Sequence, residues 1–248
     1  MSDIYVSLAD CYDRLTSDVP YEKWADFIEK IFKRYRLKPE IVLDLACGTG
    51  SLTKILASRG YDMIGVDMSS DMLDAAMRKC ACEETVPLFL CQSMQKLDLY
   101  GTVGAVVCSL DSINYLTTEK ALSDAFARVS LFLEPEGLFI FDVNTEHKLR
   151  WMDGQSFIRE AEGVFCAWSA EWREKSGCSR YYIDLFLEDG DRYERVSEEH
   201  TERAWPTDTL FKTLEANGLE PLGAFGELVM RPAEESDDRI FIVARKRK

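Results

Sequence analysis

Val42-Leu-Asp-Leu-Ala-Cys-Gly-Thr-Gly50 is an apolar run broken by one carboxylate and closed by two glycines, and a second apolar run, Met63-Ile-Gly-Val66, ends at Asp67. The glycines at 48 and 50 let the backbone turn sharply out of a strand and approach a ligand closely, because glycine tolerates positive φ and has no side chain in the way. A carboxylate just ahead of that turn repels a pyrophosphate and attracts a ligand that carries positive charge. Asp44 therefore points to ammonium and sulfonium groups, and S-adenosylmethionine carries both.

Competing glycine-loop patterns fail on spacing. A Gly-x-Gly-x-x-Gly dinucleotide loop needs glycine at position 53, where the chain has Thr53, and the Gly-Lys-Ser/Thr of a P-loop is absent. Asp67 lies seventeen residues beyond Gly50, about where a Rossmann-type second strand ends and a carboxylate accepts both ribose hydroxyls. The plainer alternative is that both acids are ordinary polar strand ends.

A chain of 248 residues can bury a sizeable core and fits one elaborated α/β domain, or one domain plus a small one. No apolar stretch approaches the ~20 residues of a bilayer span, and Met1-Ser-Asp-Ile-Tyr5 lacks the basic and apolar regions of a signal peptide, so a cytoplasmic protein without membrane contact is expected. Eight cysteines in such a protein are expected to be reduced thiols packed as small hydrophobes. Cys80-Ala-Cys82 has no Cys-x-x-Cys spacing and no histidine nearby, so no metal is expected. The net charge of −14 argues against a nucleic-acid substrate, which calls for clustered Lys and Arg.

Outward from the loop, apolar and amphipathic runs alternate. Strands are predicted at 41–45, 63–66, 87–91, 105–108 and 138–141, with helices at 51–58, 71–79 and 118–133, a pattern that gives a parallel sheet with helices on both faces. Ser69 or Ser70 is expected to cap the second of these helices, Thr117 the third, and Pro135-Glu-Gly137 to turn into the fifth strand. Ahead of the loop, Tyr21 to Tyr35 carries apolar residues at helical spacing, and Tyr5, Leu8, Tyr12 and Leu15 form a shorter stripe. Beyond Asp142, three strands at 164–172, 180–187 and 193–203 are joined by turns at Gly177 and Gly190, an antiparallel meander of about fifty residues. A helix from Pro206 to Asn217 and strands at 219–225 and 240–244 close the chain. Polar groups follow every predicted strand: Asp44, Asp67, Ser93, Ser109 with Asp111, and Asp142 with Asn144. One crevice at the carboxyl ends of the strands would gather them.

These residues resemble the class I S-adenosylmethionine-dependent methyltransferases, over most of residues 1 to 145 and the last two strands. Asp44-Leu-Ala-Cys-Gly-Thr-Gly50 resembles that family's cofactor loop, Gly65-Val-Asp-Met-Ser69 its ribose-binding segment, and Cys91-Gln-Ser-Met94 the turn that frames adenine. The resemblance implies an α/β, Rossmann-like, doubly wound seven-stranded sheet with its last strand antiparallel. It implies a helical cap at 1–38, a cofactor-binding domain at 39–148 and 205–248, and an inserted β subdomain at 149–204. Carried over residue by residue, Ala46, Gly48 and Gly50 would approach the methionine part, and Asp44 would act on its ammonium. Asp67 would hold the ribose, Met68 and Met72 would flank adenine, Met94 would offer its amide, and Leu110 would lie beside the sulfonium. Ser93 departs from the acid common at that place, which weakens adenine recognition. Tyr12-Asp13 resembles the Tyr-Asp of the cap in small-molecule methyltransferases, where the tyrosine lies close to the transferred methyl.

The expected reaction is in-line displacement from sulfur to a small-molecule amine or hydroxyl, which mainly requires alignment and a dry pocket. Tyr12 and Asp111 are the catalytic candidates. Asn114, Tyr115, Asn144 and His147 stand beside them, and His200 reads as a solvated or salt-bridged strand residue. An alternative is a methyltransferase-like scaffold serving a protein partner, although Asp44, Gly48, Gly50 and Asp67 are all present. Carboxymethyl transfer is a third, without a convincing arginine cluster. The aromatic meander is open to three uses: lining the acceptor pocket, packing on the sheet, or forming a homodimer face.

Overall fold

The computed structural model describes residues 8–83 and 85–248, apart from the side chains of Leu8 and Asp10. Helices α1 (Leu8–Leu15) and α2 (Tyr21–Tyr35) come first; Tyr5 of the predicted stripe lies outside the described residues. Strands β1 (Ile41–Leu45), β2 (Asp62–Asp67), β3 (Leu88–Cys91), β4 (Val103–Cys108) and β5 (Leu133–Asn144) follow, with α3 (Ser51–Ser58), α4 (Ser70–Cys80) and α5 (Glu119–Phe132) between them. Next come α6 (Glu146–Trp151), β6 (Ser156–Ala161), β7 (Val164–Arg173), β8 (Cys178–Asp189) and β9 (Arg192–Arg203), and then α7 (Thr207–Ala216), β10 (Leu219–Gly226) and β11 (Arg239–Lys246).

Seven strands form one sheet in the order β10-β11-β5-β4-β1-β2-β3, and β11 alone runs antiparallel to its neighbours. The order reverses between β1 and β4, which places a crevice at the carboxyl end of β1. Alternate strand residues face opposite layers. Leu43, Leu45, Phe139 and Phe141 pack with Phe126 of α5 and Leu210 and Leu214 of α7. Val42, Leu138 and Ile140 pack with Trp24, Phe27, Ile28 and Ile31 of α2 and with Leu52 and Leu56 of α3. Phe241 of β11 meets Phe27 edge-on at 4.7 Å. The apolar stripe of α2 thus covers the sheet, and its charged residues face outward.

Strands β6 to β9 form a second, antiparallel sheet. The meander was expected to have three strands, and β6 is the fourth. It escapes the period-2 pattern because its inward positions are Phe157, Arg159 and Ala161, with a charge where an apolar residue is expected. Arg159 is used there. Its guanidinium donates to the Leu15 carbonyl at 2.5 Å and to Asp18 at 2.8 Å, joining this edge strand to the end of α1. Two smaller expectations also change, at Thr117 and at Pro135-Glu-Gly137, and one is met, at Ser69. Thr118, not Thr117, caps α5, its hydroxyl accepting from the Ala121 N–H at 3.1 Å. Ser69 caps α4. β5 starts at Leu133, directly after α5, and bulges over 134–137 with Glu136 at φ 67°, so Pro135-Glu-Gly137 lies inside the strand. Among the described residues no helix is long and apolar enough to cross a membrane, and no cluster of His, Cys, Asp and Glu could hold a metal ion.

The two loop glycines differ in one measurable way. Both are left-handed, at φ 54° for Gly48 and 72° for Gly50, but a Cβ on Gly50 would sit 2.9 Å from Ala76 Cβ of α4, whereas one on Gly48 meets nothing within 4 Å. Gly48→Ala should therefore cost about 1 kcal/mol from backbone strain alone, and Gly50→Ala about 2–4 kcal/mol once overpacking is added. Urea unfolding of both variants tests this; equal losses would refute the close packing of loop and helix.

Candidate active site

Asp44 lies on the face of β1 covered by α3, and it is only 2 % exposed. Its side-chain partner is the hydroxyl of Thr53, which donates to Oδ2 at 2.5 Å. The residue that excludes a dinucleotide loop is thus used to hold the acid. Burial pushes the Asp44 carboxyl up to about 6, against the Thr53 hydrogen bond and with help from the charge of Asp67. Beyond it Ala46 also takes a left-handed conformation, φ 61°, so three residues of this turn are left-handed.

Asp67 ends β2 and is tied to the same loop. Its Oδ2 accepts from the N–H of Gly48 at 2.9 Å and its Oδ1 from the N–H of Ser69 at 2.9 Å. Each carboxylate oxygen has a second lone-pair direction, so acceptor capacity remains for a ligand. Met68 beside it is largely exposed, whereas Met72, Ser93 and Met94 are half-buried around the ends of β2 and β3. Ser93 leads into a short 3₁₀ turn, Met94–Lys96.

The helix α1 is fastened to the loop by an acid that had no assigned role. Asp13 Oδ1 accepts from Thr49 Oγ1 at 2.6 Å and from Lys79 Nζ at 2.8 Å, and Lys79 also donates to Ser51 Oγ at 2.7 Å. Lys79 belongs to α4, 66 residues from Asp13, and no local pattern marks the pair. The clamp fixes the neighbouring Tyr12, whose phenol burial pushes above the ordinary tyrosine range.

At the end of β4, Leu110 and Asp111 are consecutive left-handed residues, at φ 57° and 52°. Such backbone persists only where its surroundings hold it. Here the Asp111 N–H donates to Asp142 Oδ2 at 2.9 Å, and Arg239 of β11 donates to Asp111 Oδ1 at 2.7 Å and to Asp142. Asp142 is part of β5 rather than of a following loop, and it is fully buried against that arginine.

Between these strand ends and the inner face of the second sheet lies a cleft of about 550 Å³, a size suited to a small molecule. Tyr12, Asp111 and Tyr115 line one side, and Trp168, Tyr181, His200 and Glu202 line the other. Tyr115 meets the His200 ring edge-on at 5.7 Å, and His200 Nε2 lies 2.8 Å from Glu198. The His200 of the sequence is therefore paired, as one of its two readings had it, but it also faces the cleft. Asn114 is fully buried instead: its amide donates to the carbonyls of Asn144 and Arg203 and accepts from the Asn144 N–H, stapling the two sheets. His147 lies outside the cleft, half exposed and paired with Asp238 at 3.0 Å.

Two cleft residues, Lys148 and Glu202, are invisible to the sequence patterns. Lys148 donates to Asn144 Oδ1 at 2.9 Å from the six-residue α6, and burial lowers its ammonium. Glu202 stands in a strand of alternating charges whose inward face is fixed only by its partner β8. Burial pushes its carboxyl up to about 8.

An acid whose carboxyl rises on folding is favoured protonated in the folded state, so its contribution to stability is greatest at low pH and is lost as pH rises through the folded value. For Asp44 the loss begins near pH 4 and is complete above the raised value of about 6. Asp44→Asn mimics the neutral acid and keeps an acceptor for Thr53. It should exceed wild type by roughly 1–3 kcal/mol at pH 8, with the gain narrowing toward pH 4. Urea unfolding at the two pH values tests this, and a variant less stable than wild type at pH 8 would contradict it.

The Methyltransferase domain family matches residues 42–137, from β1 to the bulge of β5. The Bacillus subtilis (strain 168) protein YqeM, named as a methyltransferase, is 30 % identical over 99 % of this chain and 98 % of its own length. The crystal structure of an S-adenosylmethionine-dependent methyltransferase from Clostridium acetobutylicum superposes with a TM-score of 0.88 at 32 % identity, covering 97 % of this chain and 98 % of that one. The sugar N-methyltransferase KedS8 from a Streptoalloteichus species shares the fold at a TM-score of 0.80 and 23 % identity, covering 100 % of this chain and 96 % of its own. Similarity of this extent, running through both sheets, agrees with the loop and the strand order: the chain belongs to the class I S-adenosylmethionine-dependent methyltransferases.

Proposed function

We propose that this methyltransferase acts on a small-molecule amine or hydroxyl held in the cleft between the strand ends and the second sheet. The observation that carries the reading is the cleft itself: an aromatic-walled space reaching both Tyr12, on the helix clamped to the cofactor loop, and Asp111, at the strained end of β4. KedS8, a sugar N-methyltransferase, has the same fold, which accords with an acceptor of this size. The proposed division is a cap at 1–38, a cofactor-binding unit at 39–148 and 205–248, and an inserted unit at 149–204 that supplies the outer wall of the cleft.

The loop's chemistry fits S-adenosylmethionine. Left-handed backbone with open space over Gly48 allows a close approach, and Asp44 is buried with a hydroxyl rather than a cation for company. When bound, the cofactor supplies an electrophilic methyl on a sulfonium. In this reading Asp44 receives its ammonium, Ala46, Gly48 and Gly50 line the methionine part, and Asp67 accepts the ribose hydroxyls with its spare lone pairs. Met68, Met72, Ser93 and Met94 surround adenine. Leu110 packs beside the sulfur, held there by the Arg239 network. Tyr12 orients the acceptor, and Asp111, already bound by Arg239, acts through position. The second sheet and α1 exclude water, and an amine has only to be neutral when it attacks.

Asp67→Ala should weaken S-adenosylmethionine and S-adenosylhomocysteine together by roughly 2–4 kcal/mol, since both lose two charge-assisted bonds and the loop loses an anchor. Unchanged calorimetric affinities would remove Asp67 from the cofactor site. Tyr12→Phe should keep cofactor affinity within about tenfold and lower turnover more than that. Full turnover would make Tyr12 a packing residue, and a wild-type protein that binds cofactor but methylates nothing in a broad screen of amines and hydroxylated metabolites would contradict the small-molecule reading.

A further inference from the structure

Glu202 is a buried acid of the cleft with no ion-pair partner among the described residues. It is 5 % exposed, and its Oε2 accepts from Asn144 Nδ2 at 3.0 Å and from the Tyr181 hydroxyl at 3.4 Å. Among the described residues no Lys, Arg or His forms an ion pair with it, and the neighbouring cations act on it only from a distance. Lys148 reaches it only across the neutral amide of Asn144, Arg239 bridges Asp111 and Asp142, and His200 is paired with Glu198. A carboxylate oriented by neutral donors and left without a cation carries a desolvation penalty that folding alone does not repay. Burial pushes the carboxyl up to about 8, the direction that penalty requires.

The surroundings of Glu202 favour a positive group over a neutral one. Tyr181 and Trp168 stand with ring centroids 5.9 Å apart, and both line the cleft together with Tyr115 and Glu202. Aromatic faces attract cations, and the attraction grows when the site excludes water. A hydroxylated ligand would leave Glu202 a neutral acid, whereas an ammonium would draw out and balance its carboxylate and leave the Asn144 and Tyr181 bonds in place.

We propose that the methyl acceptor is a protonatable amine and that Glu202, framed by Tyr115, Trp168 and Tyr181, is the specificity-determining residue that binds its ammonium form and accepts one proton from it, leaving the neutral amine's lone pair free to attack. The proposal rests on the cleft being the acceptor site. A hydroxylated acceptor held by Glu202 as a neutral acid is the competing outcome.

The test uses two probes of matched size, benzylamine and benzyl alcohol, titrated at pH 7.5 into the full chain saturated with S-adenosylhomocysteine and followed by intrinsic tryptophan fluorescence and ligand-observed NMR. Wild type should bind the amine at least about tenfold more tightly than the alcohol. Glu202→Gln should abolish that preference while keeping S-adenosylhomocysteine and benzyl alcohol affinities within about twofold, and Glu202→Asp should retain most of it. Equal affinities in wild type overturn the amine assignment without touching the cleft, and a preference that survives in Glu202→Gln overturns the role of Glu202. If neither probe binds a protein that still binds S-adenosylhomocysteine, the acceptor cleft falls along with the proposal.

Discussion

The burial of Asp44 at the carboxyl end of β1, with a threonine hydroxyl and no cation as its partner, is the constraint around which the rest of the site is arranged. A carboxylate in that position destabilises the fold when ionised, and the fold keeps it by surrounding it with firmly anchored backbone. Thr53 holds the acid from α3, while Asp67 holds the loop beyond it through the N–H groups of Gly48 and Ser69. Asp44 sits where the strand order reverses and Asp67 ends the neighbouring strand, so the position is a product of topology before it is one of side chains.

Three carboxylates are deeply buried near these strand ends, and their partners separate them into two kinds. Asp142 is paired with Arg239, which also secures the strained Leu110–Asp111 backbone. That pair is complete and organises the end of β4. Asp44 and Glu202 are held only by neutral donors, and burial raises both carboxyls. Acids left unbalanced in this way are candidates for ligand contact, because a bound cation would repay a penalty the fold leaves standing. Asp44 belongs to the loop proposed to hold the cofactor and Glu202 to the cleft proposed for the acceptor, and the clamp from Asp13 to Lys79 holds Tyr12 between them.

The sheet was legible because its determinants are local: glycines that demand positive φ, strands of period two, and acids at strand ends. Ser69 as a helix cap and the antiparallel final strand follow from the same signals and from family resemblance. What stayed hidden depends on contacts distant in sequence. Strand β6 presents Arg159 inward because α1 supplies a carbonyl and Asp18 to receive it. The bulge in β5 looks like a turn because proline and glycine mark both. Glu202 looks solvated within Glu198-Glu-His-Thr-Glu202, since alternating charges do not reveal which face will be covered. Asn114 was placed beside the crevice, and its three bonds to two strands explain why it is instead a staple.

The central claim is that the uncompensated charge of Asp44 is balanced by the cofactor's ammonium, and the most direct measurement is the affinity of wild type and Asp44→Asn for S-adenosylhomocysteine by calorimetry from pH 5 to 8. With the free carboxyl raised to about 6, wild-type affinity should be flat above pH 7 and fall by up to about tenfold per pH unit below the raised value, as binding must first remove a proton. The variant should bind weakly with no such dependence. A wild-type affinity that stays constant across the range, or a variant that binds as tightly at pH 8, would contradict the account.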